Sequence, residues 1–505
     1  LSNMRLPDER YGDLNASLGA CRVAEQRIEK ILGKYGRTLV LDCISENLDR
    51  SERRIRARIQ DLPDGEYCYE DYLEYYDGEV LDPVLMRLRL KVSGDQLTAN
   101  FDGSSPQVPG VVNSSLAVAG AGVFVAVKST LDPQGPVNSG AFRAIALNAP
   151  EASIVDVRDD APAGAHGEVR KRAVSVMLGA LAQVIPDAVS GDLSGTSFPN
   201  SIGGYSKSRG RSYVYIEVPA GGNGGFLEAD GSSAFVNVDF GSIRSIHNVE
   251  SLESDMPLQV QSCVLREDSG GEGQRRGGLG MRRELRLCEG EALYSVLGDR
   301  AIIPPFGMHG GGPAKQLSVS WQRGQTVKLF GTPGKVTGHR IHKDDVVIME
   351  SAGGGGYGDP LNRDPEDVRN DMLSGYITPH RAEAGYGVLF TGEWEVDDDR
   401  TSALRLDMLG RRLRLTVKAD ETYPYIGNRG KRRVVRLSEG TITGLGVRVG
   451  DLIELMGNHP APLRCWIEFG AEVEQDICPM DEFGRRVLGV EQADSVWVRA
   501  LPGPS

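Results

Sequence analysis

The 505-residue sequence has no apolar stretch long enough to cross a bilayer. Its longest run, residues 116–127, is about half of the roughly 20 residues a membrane helix needs, and it reads as a buried helix. Cysteine is sparse and unpatterned. Cys21, Cys43, Cys68, Cys263, Cys288, Cys465 and Cys478 are odd in number, scattered, and include no C-x-x-C pair. That excludes a disulfide framework or a zinc knuckle and points to free thiols, each a small buried residue, in a reducing compartment. The opening Leu1-Ser-Asn-Met-Arg5 carries no apolar run, so no signal peptide is expected and the chain is placed in the cytoplasm. Positive charge is also short: 57 Lys and Arg against 70 Asp and Glu leave −13, which repels nucleic-acid backbones and anionic lipid.

Glycine, by contrast, is abundant. The 64 glycines are about one residue in eight, against roughly 7% in ordinary proteins. No Gly-every-third period is present, so collagen is excluded, and 40% hydrophobic residues exclude a disordered glycine-rich chain. Many tight turns and bulges between short strands remain, in two to four domains at about 150 residues each.

Apolar periodicity places helices at residues 18–35, through Leu18, Cys21, Ile28, Ile31, Leu32 and Tyr35, and at 116–127, with Ser114 and Ser115 as caps. A third covers 172–185, with Val174, Met177, Leu178 and Leu181 on one face. A fourth is bounded by Asp364, Pro365 and Gly375. Residues 86–92, 213–217 and 234–239 alternate as strands. The expected fold class is α+β, a β-rich main body over 1–392 with a few long buried helices. An acidic linker follows at 393–401. Beyond it Leu445-Gly-Val447, three residues, then Asp451-Leu-Ile-Glu-Leu455 recurs 43 residues later as Leu488-Gly-Val490 and Asp494-Ser-Val-Trp-Val498. Two turn-plus-strand copies, with Asp451 and Asp494 set to bond turn amides, predict a pseudo-twofold β-barrel over 402–505. The pattern resembles the double-psi barrel, with Ala493 standing where the first copy has Gly450.

Chemistry is harder to read. Gly353-Gly-Gly-Gly-Tyr-Gly-Asp-Pro360 lacks the Gly-Lys-Ser/Thr of a phosphate cradle and any surrounding βαβ unit, so it reads as backbone passing close to other backbone. Residues 267–280 place Asp268, Ser269 and Arg276 on a glycine-rich loop. Such a loop either faces an anion, or leaves Asp268 and Arg276 to pair with each other or cap turns. Of the seven histidines His247 has the best local acidic cluster in sequence, with Asp239, Glu250 and Glu253, and the alternative is a structural or surface histidine. No Gly-x-Ser-x-Gly elbow is present. Asp268, Ser269, Arg276 and His247 are the cavity or interface candidates; no cofactor-binding residue or metal ligand is assigned.

In colinear order the strings resemble the hydantoinase B / 5-oxoprolinase family, which includes the large subunits of acetone and acetophenone carboxylases. They are Arg5-Leu-Pro7, Gly12-Asp-Leu14, Phe101-Asp-Gly-Ser-Ser-Pro-Gln107, Pro136-Val-Asn-Ser-Gly140, Asp268-Ser-Gly-Gly271, Arg276-Gly-Gly-Leu-Gly280 and the 353–360 run. The resemblance implies a partner of the hydantoinase A type, an actin-like ATPase that activates the substrate with ATP. It also implies a divalent metal on a segment preceding the Arg-x-Pro stretch at which this chain opens. By that resemblance the chain corresponds to the C-terminal two-thirds of such a subunit, with the metal-bearing part missing or on another chain. The implied activity is hydrolysis of a cyclic amide (hydantoin, 5-oxoproline or lactam) in a hetero-oligomer. The competing readings are an ATP-dependent ketone carboxylase subunit and a non-catalytic scaffold subunit.

Overall fold

The computed structural model describes residues 3–501, apart from 5, 159, 236–245, 423–424 and 428–430. Strict alternation makes Val84–Ser93 a strand that buries Met86, Leu88, Leu90 and Val92 and exposes Arg89 and Lys91. It pairs with Gly65–Leu73 and Gln96–Asn100, and Ile145–Asn148 adds in parallel to complete a four-stranded sheet. The helices Leu116–Leu131 and His166–Leu181 pack on one another and against this sheet. The second begins six residues before the predicted start. From Val169 it is buried nearly all round, with Lys171 and Arg172 inside. Ser115 does occupy the cap position of the first, but its side chain makes no capping bond.

Two antiparallel sheets share a second core. One runs Thr326–Leu329, Ser318–Arg323, Val346–Glu350, Met281–Leu287, Leu258–Leu265; the other runs Lys335–His342, Glu291–Leu297, Asn200–Ser206, Arg211–Glu217. Phe198, Tyr294, Leu285 and Met349 fill the space they enclose. The expected strand at 234–239 lies largely outside the described residues.

Between these layers the glycine-rich segments pack backbone against backbone. Gly354 donates to the carbonyl of Gly278 at 2.9 Å and accepts from Gly271 at 2.9 Å; Gly355 donates to Asp192 at 2.8 Å and accepts from Gly225 at 2.9 Å. A Cβ on Gly354 would lie 2.0 Å from the Asn223 oxygen, and one on Gly355 1.8 Å from the Phe306 oxygen. Only glycine lets chains approach this closely. The run 353–360 is a packing element, and the abundance of glycine is explained there.

The acidic stretch near 393–400 passes from a turn into the helix Asp398–Gly410. Asp397 caps it, and Asp398 and Asp399 sit where the helix dipole favours them. Beyond it seven short strands form one curled sheet with two parallel pairs, Arg414–Ala419 with Ile477–Met480 and Arg432–Leu437 with Leu463–Phe469. The repeat is structural. The helices Glu439–Leu445 and Glu482–Leu488 are capped by Ser438 and Asp481 and end at left-handed Gly446 and Gly489. Asp451 then accepts from the Arg448 amide at 2.9 Å, and Asp494 from the Glu491 amide at 2.8 Å. Ala493 adopts φ 73°, matching Gly450 at 91°, so the turn keeps its left-handed shape without the glycine.

Buried charge ties this unit to the body. Asp71, fully buried, accepts from Arg172 at 2.7 Å, Arg300 at 2.9 Å and Arg464 at 3.2 Å. Arg172 also bonds Asp299, Arg300 pairs with Asp192, and Arg464 with Glu454. Burial, reinforced by the Asp299 carboxylate, pushes Glu74 up to about 7. Burial also pushes Asp192 up to about 7, with Arg172 opposing and Asp71 reinforcing it. Both groups hold a proton more tightly folded than unfolded. Their stabilisation is therefore complete below the ordinary carboxylate range and is lost as pH climbs towards 7. Burial opposes ionisation of Asp230 and Asp359 too, but the guanidiniums of Arg363 and Arg412 outweigh it and hold both carboxyls low. Their stabilisation is lost only in stronger acid. The thermal midpoint is expected to be higher near about pH 5.5 than near about pH 8; calorimetry showing a steady rise across that interval contradicts this.

Candidate functional site

A left-handed Asp268, φ 58°, turns its carboxylate onto Thr378, accepting from the amide at 2.8 Å and the hydroxyl at 2.9 Å. Thr378 in turn caps the helix Pro379–Tyr386, whose first turn carries His380 and Arg381. Asp268, His380 and Arg381 line a cleft of about 730 Å³ together with residues 312–316 and with Trp497 and Arg499 of the C-terminal unit. Arg499 reaches across the junction to the carbonyls of Gly310 and Gly311 at 2.7 and 2.8 Å. Arg412 forks onto Asp359 at 2.6 and 2.7 Å. These two guanidiniums lie 4.8 and 4.9 Å from the centroid of the Trp497 ring. Glu272 pairs with Arg381 at 2.7 Å.

Of the four sequence candidates, the cleft takes Asp268. Ser269 is fully buried beneath it, donating to the Arg266 carbonyl and accepting from the Gly280 amide, so its hydroxyl is committed to packing. Arg276 is buried on Asp371 at 3.1 Å and the Gly277 carbonyl at 2.8 Å; it does not pair with Asp268. His247 sits exposed, its ring edge-on to Tyr215 and its amide on Glu217. Of its sequence neighbours Glu253 caps the Val260 amide, and Asp239 lies outside the described residues. Lys315, Arg381, Arg412, Trp497 and Arg499 escape sequence reading because they converge from separate segments, and no local spacing marks them.

Burial drives Cys465 and Cys478 upward, so both are inert thiols inside the barrel. Cys21, Cys43 and Cys263 are exposed rather than buried as expected, the first two on the N-terminal helices. Among the described residues no three His, Cys, Asp or Glu side chains converge as a metal site, and the metal implied by the resemblance finds no ligand set there. Among them, too, no helix is long and apolar enough to cross a membrane.

The architecture defines a class: a β-rich α+β scaffold with a glycine core and a barrel-like unit closing one cleft. The chain belongs to the Hydantoinase B/oxoprolinase family, whose pattern matches residues 1–360. It is 32% identical over 418 residues to a protein of Pseudomonas sp. (strain NS671) named as the B component of a D-/L-hydantoinase, covering 80% of this chain and 69% of that one. The solved ATP-dependent caprolactamase from Pseudomonas jessenii superposes with a TM-score of 0.73 at 27% identity, over 79% of this chain and 69% of that chain. A nucleotide-free acetone carboxylase shares the fold, with a TM-score of 0.70 at 19% identity over 77% and 58%.

Proposed function

We propose that the chain is the B-type component of an ATP-dependent amidohydrolase. It opens a cyclic amide (a hydantoin, 5-oxoproline or a lactam) together with an ATPase partner of the hydantoinase A type. The observation that carries this reading is the helix Pro7–Tyr35. It lies inside the family match, yet none of its 29 residues is buried. Tyr11, Leu14, Leu18, Cys21, Ile28, Leu32 and Tyr35 recur at steps of three, four and, once, seven residues, the seam of a helix that packs on another helix. Ile28, Ile31 and Tyr35 join Leu39 and Ile44 of the next helix, Arg37–Gln60, around an apolar groove of about 600 Å³. A contiguous apolar surface of this kind marks an interface, and its occupant in this reading is a helical face of the partner assembly. The Pseudomonas relative, named as one component of a hydantoinase, agrees with it.

An amide carbonyl resists attack by water, so the ATP held by the partner supplies the activation, and this chain supplies cleft wall and interface. Two glutamates in the groove, Ile28→Glu with Ile31→Glu, are expected to abolish co-elution with the ATPase partner while leaving the melting curve of the isolated chain unchanged. Undiminished co-elution of that variant would count against this groove as the interface.

A further inference from the structure

The cleft beside Asp268 is basic within an acidic protein. Six ionised side chains line it: Lys315, Arg381, Arg412 and Arg499 against Asp268 and Glu272. Three of the four cations are engaged, Arg381 with Glu272, Arg412 with Asp359, and Arg499 with backbone carbonyls and Glu454. Lys315 is not. Its amide bonds the Ser269 carbonyl, but its ammonium has no hydrogen bond or ion pair among the described residues. Burial and the nearby Arg266 hold that ammonium below its ordinary value, against the opposing pull of Glu350 and Asp268. Arg381 has an unused donor as well, since its buried Nε has no partner. Asp268 attracts the Lys315 ammonium through space but makes no hydrogen bond to it; its two oxygens accept from the Thr378 amide and hydroxyl.

We propose that this cleft is a binding site for a small oxyanion, a carboxylate or a phosphate, seated between the Lys315 ammonium and the Arg381 guanidinium, with Trp497 as its side wall. A point charge and a planar fork facing one pocket suit an anion with two or three acceptor oxygens. The walls are fixed before the ligand arrives: Arg412 and Arg499 are held by Asp359 and by Gly310 and Gly311, and the helix bearing Arg381 is anchored through Thr378. His380, Arg381, Arg412, Trp497 and Arg499 all lie beyond residue 360, where the family match ends, so the site belongs to the junction with the C-terminal unit. Both ligand chemistries fit the proposed reaction, because opening a cyclic amide leaves a carboxylate and spending ATP leaves phosphate. The binding itself does not depend on that reading and is tested on the isolated chain.

Titration of the full chain with succinate and, separately, with inorganic phosphate is expected to change Trp497 fluorescence saturably, and Trp497→Phe identifies the signal. Tighter binding of succinate assigns a carboxylate, and tighter binding of phosphate assigns phosphate. Lys315→Gln is expected to weaken the preferred anion about tenfold, the loss of one charge-assisted contact, whereas Lys315→Arg retains binding. Arg381→Gln provides a second variant that weakens it independently. The absence of saturable binding of either anion overturns the proposal, as does equal affinity in the wild type and both charge-removing variants.

Discussion

Replacing Gly354 by alanine is expected to leave a chain with no cooperative unfolding transition. The added methyl would sit 2.0 Å from the Asn223 carbonyl oxygen and 2.1 Å from its carbon, distances that no Cβ tolerates. Both obstructing atoms are backbone, fixed by the Asn223 amide donating to Ser232 and its carbonyl accepting from Gly278, so no rotamer change relieves the clash. Moving one segment displaces the next, because Gly354 is itself bonded to Gly271 and Gly278. The resulting overpacking exceeds the few kcal/mol an ordinary core absorbs. Gly444 is the control. It lies exposed in the helix Glu439–Leu445 with nothing within 4 Å of a Cβ, and Gly444→Ala is expected to stabilise by about 0.5–1 kcal/mol. Circular dichroism and thermal melts of the two variants check both outcomes.

The second large effect is expected at Asp71. Its carboxylate accepts from Arg172, Arg300 and Arg464, all three buried. Asp71→Asn removes the shared charge and leaves one neutral amide oxygen, with an amide NH2 facing the cations, where three guanidiniums met a carboxylate, a loss of about 3–5 kcal/mol by analogy with other broken buried pairs. Because Arg464 comes from the C-terminal unit, the loss should also loosen that unit. Limited proteolysis of the variant is then expected to cut between the body and the barrel before either is degraded. An exposed pair gives the contrast: Arg53 and Glu46 are 2.6 Å apart with most of both side chains in water, and Glu46→Gln should change stability by less than about 0.5 kcal/mol. Denaturant titration of the two variants separates these magnitudes.

These two sites show where the sequence speaks and where it is silent. Alternation at 86–92 and the Asp364-Pro365 start announce their elements because strand and cap signals are local. Asp451 and Asp494 announce their turns for the same reason. The helix at residue 166 is harder to read, since its buried Arg172 looks like a surface residue until Asp71 and Asp299 are brought in from far along the chain. The acidic residues 397–399 read as a linker by composition, while their position makes them a cap and a first turn. The apolar spacing of residues 18–35 correctly gives a helix, but amphipathicity alone implies a covering surface that the described chain does not supply. The cleft is least legible of all. Its cations come from single positions on separate segments, and only Asp268 is marked by a motif.

The measurement that bears most directly on the central claim is ATP turnover by the chain reconstituted with its ATPase partner, supplied with a cyclic amide and no bicarbonate. ATP consumption is expected to require both components and the amide, with ring-opened product accumulating alongside. Turnover that demands bicarbonate and a ketone, and ignores cyclic amides, would contradict it and assign the chain to a carboxylase instead.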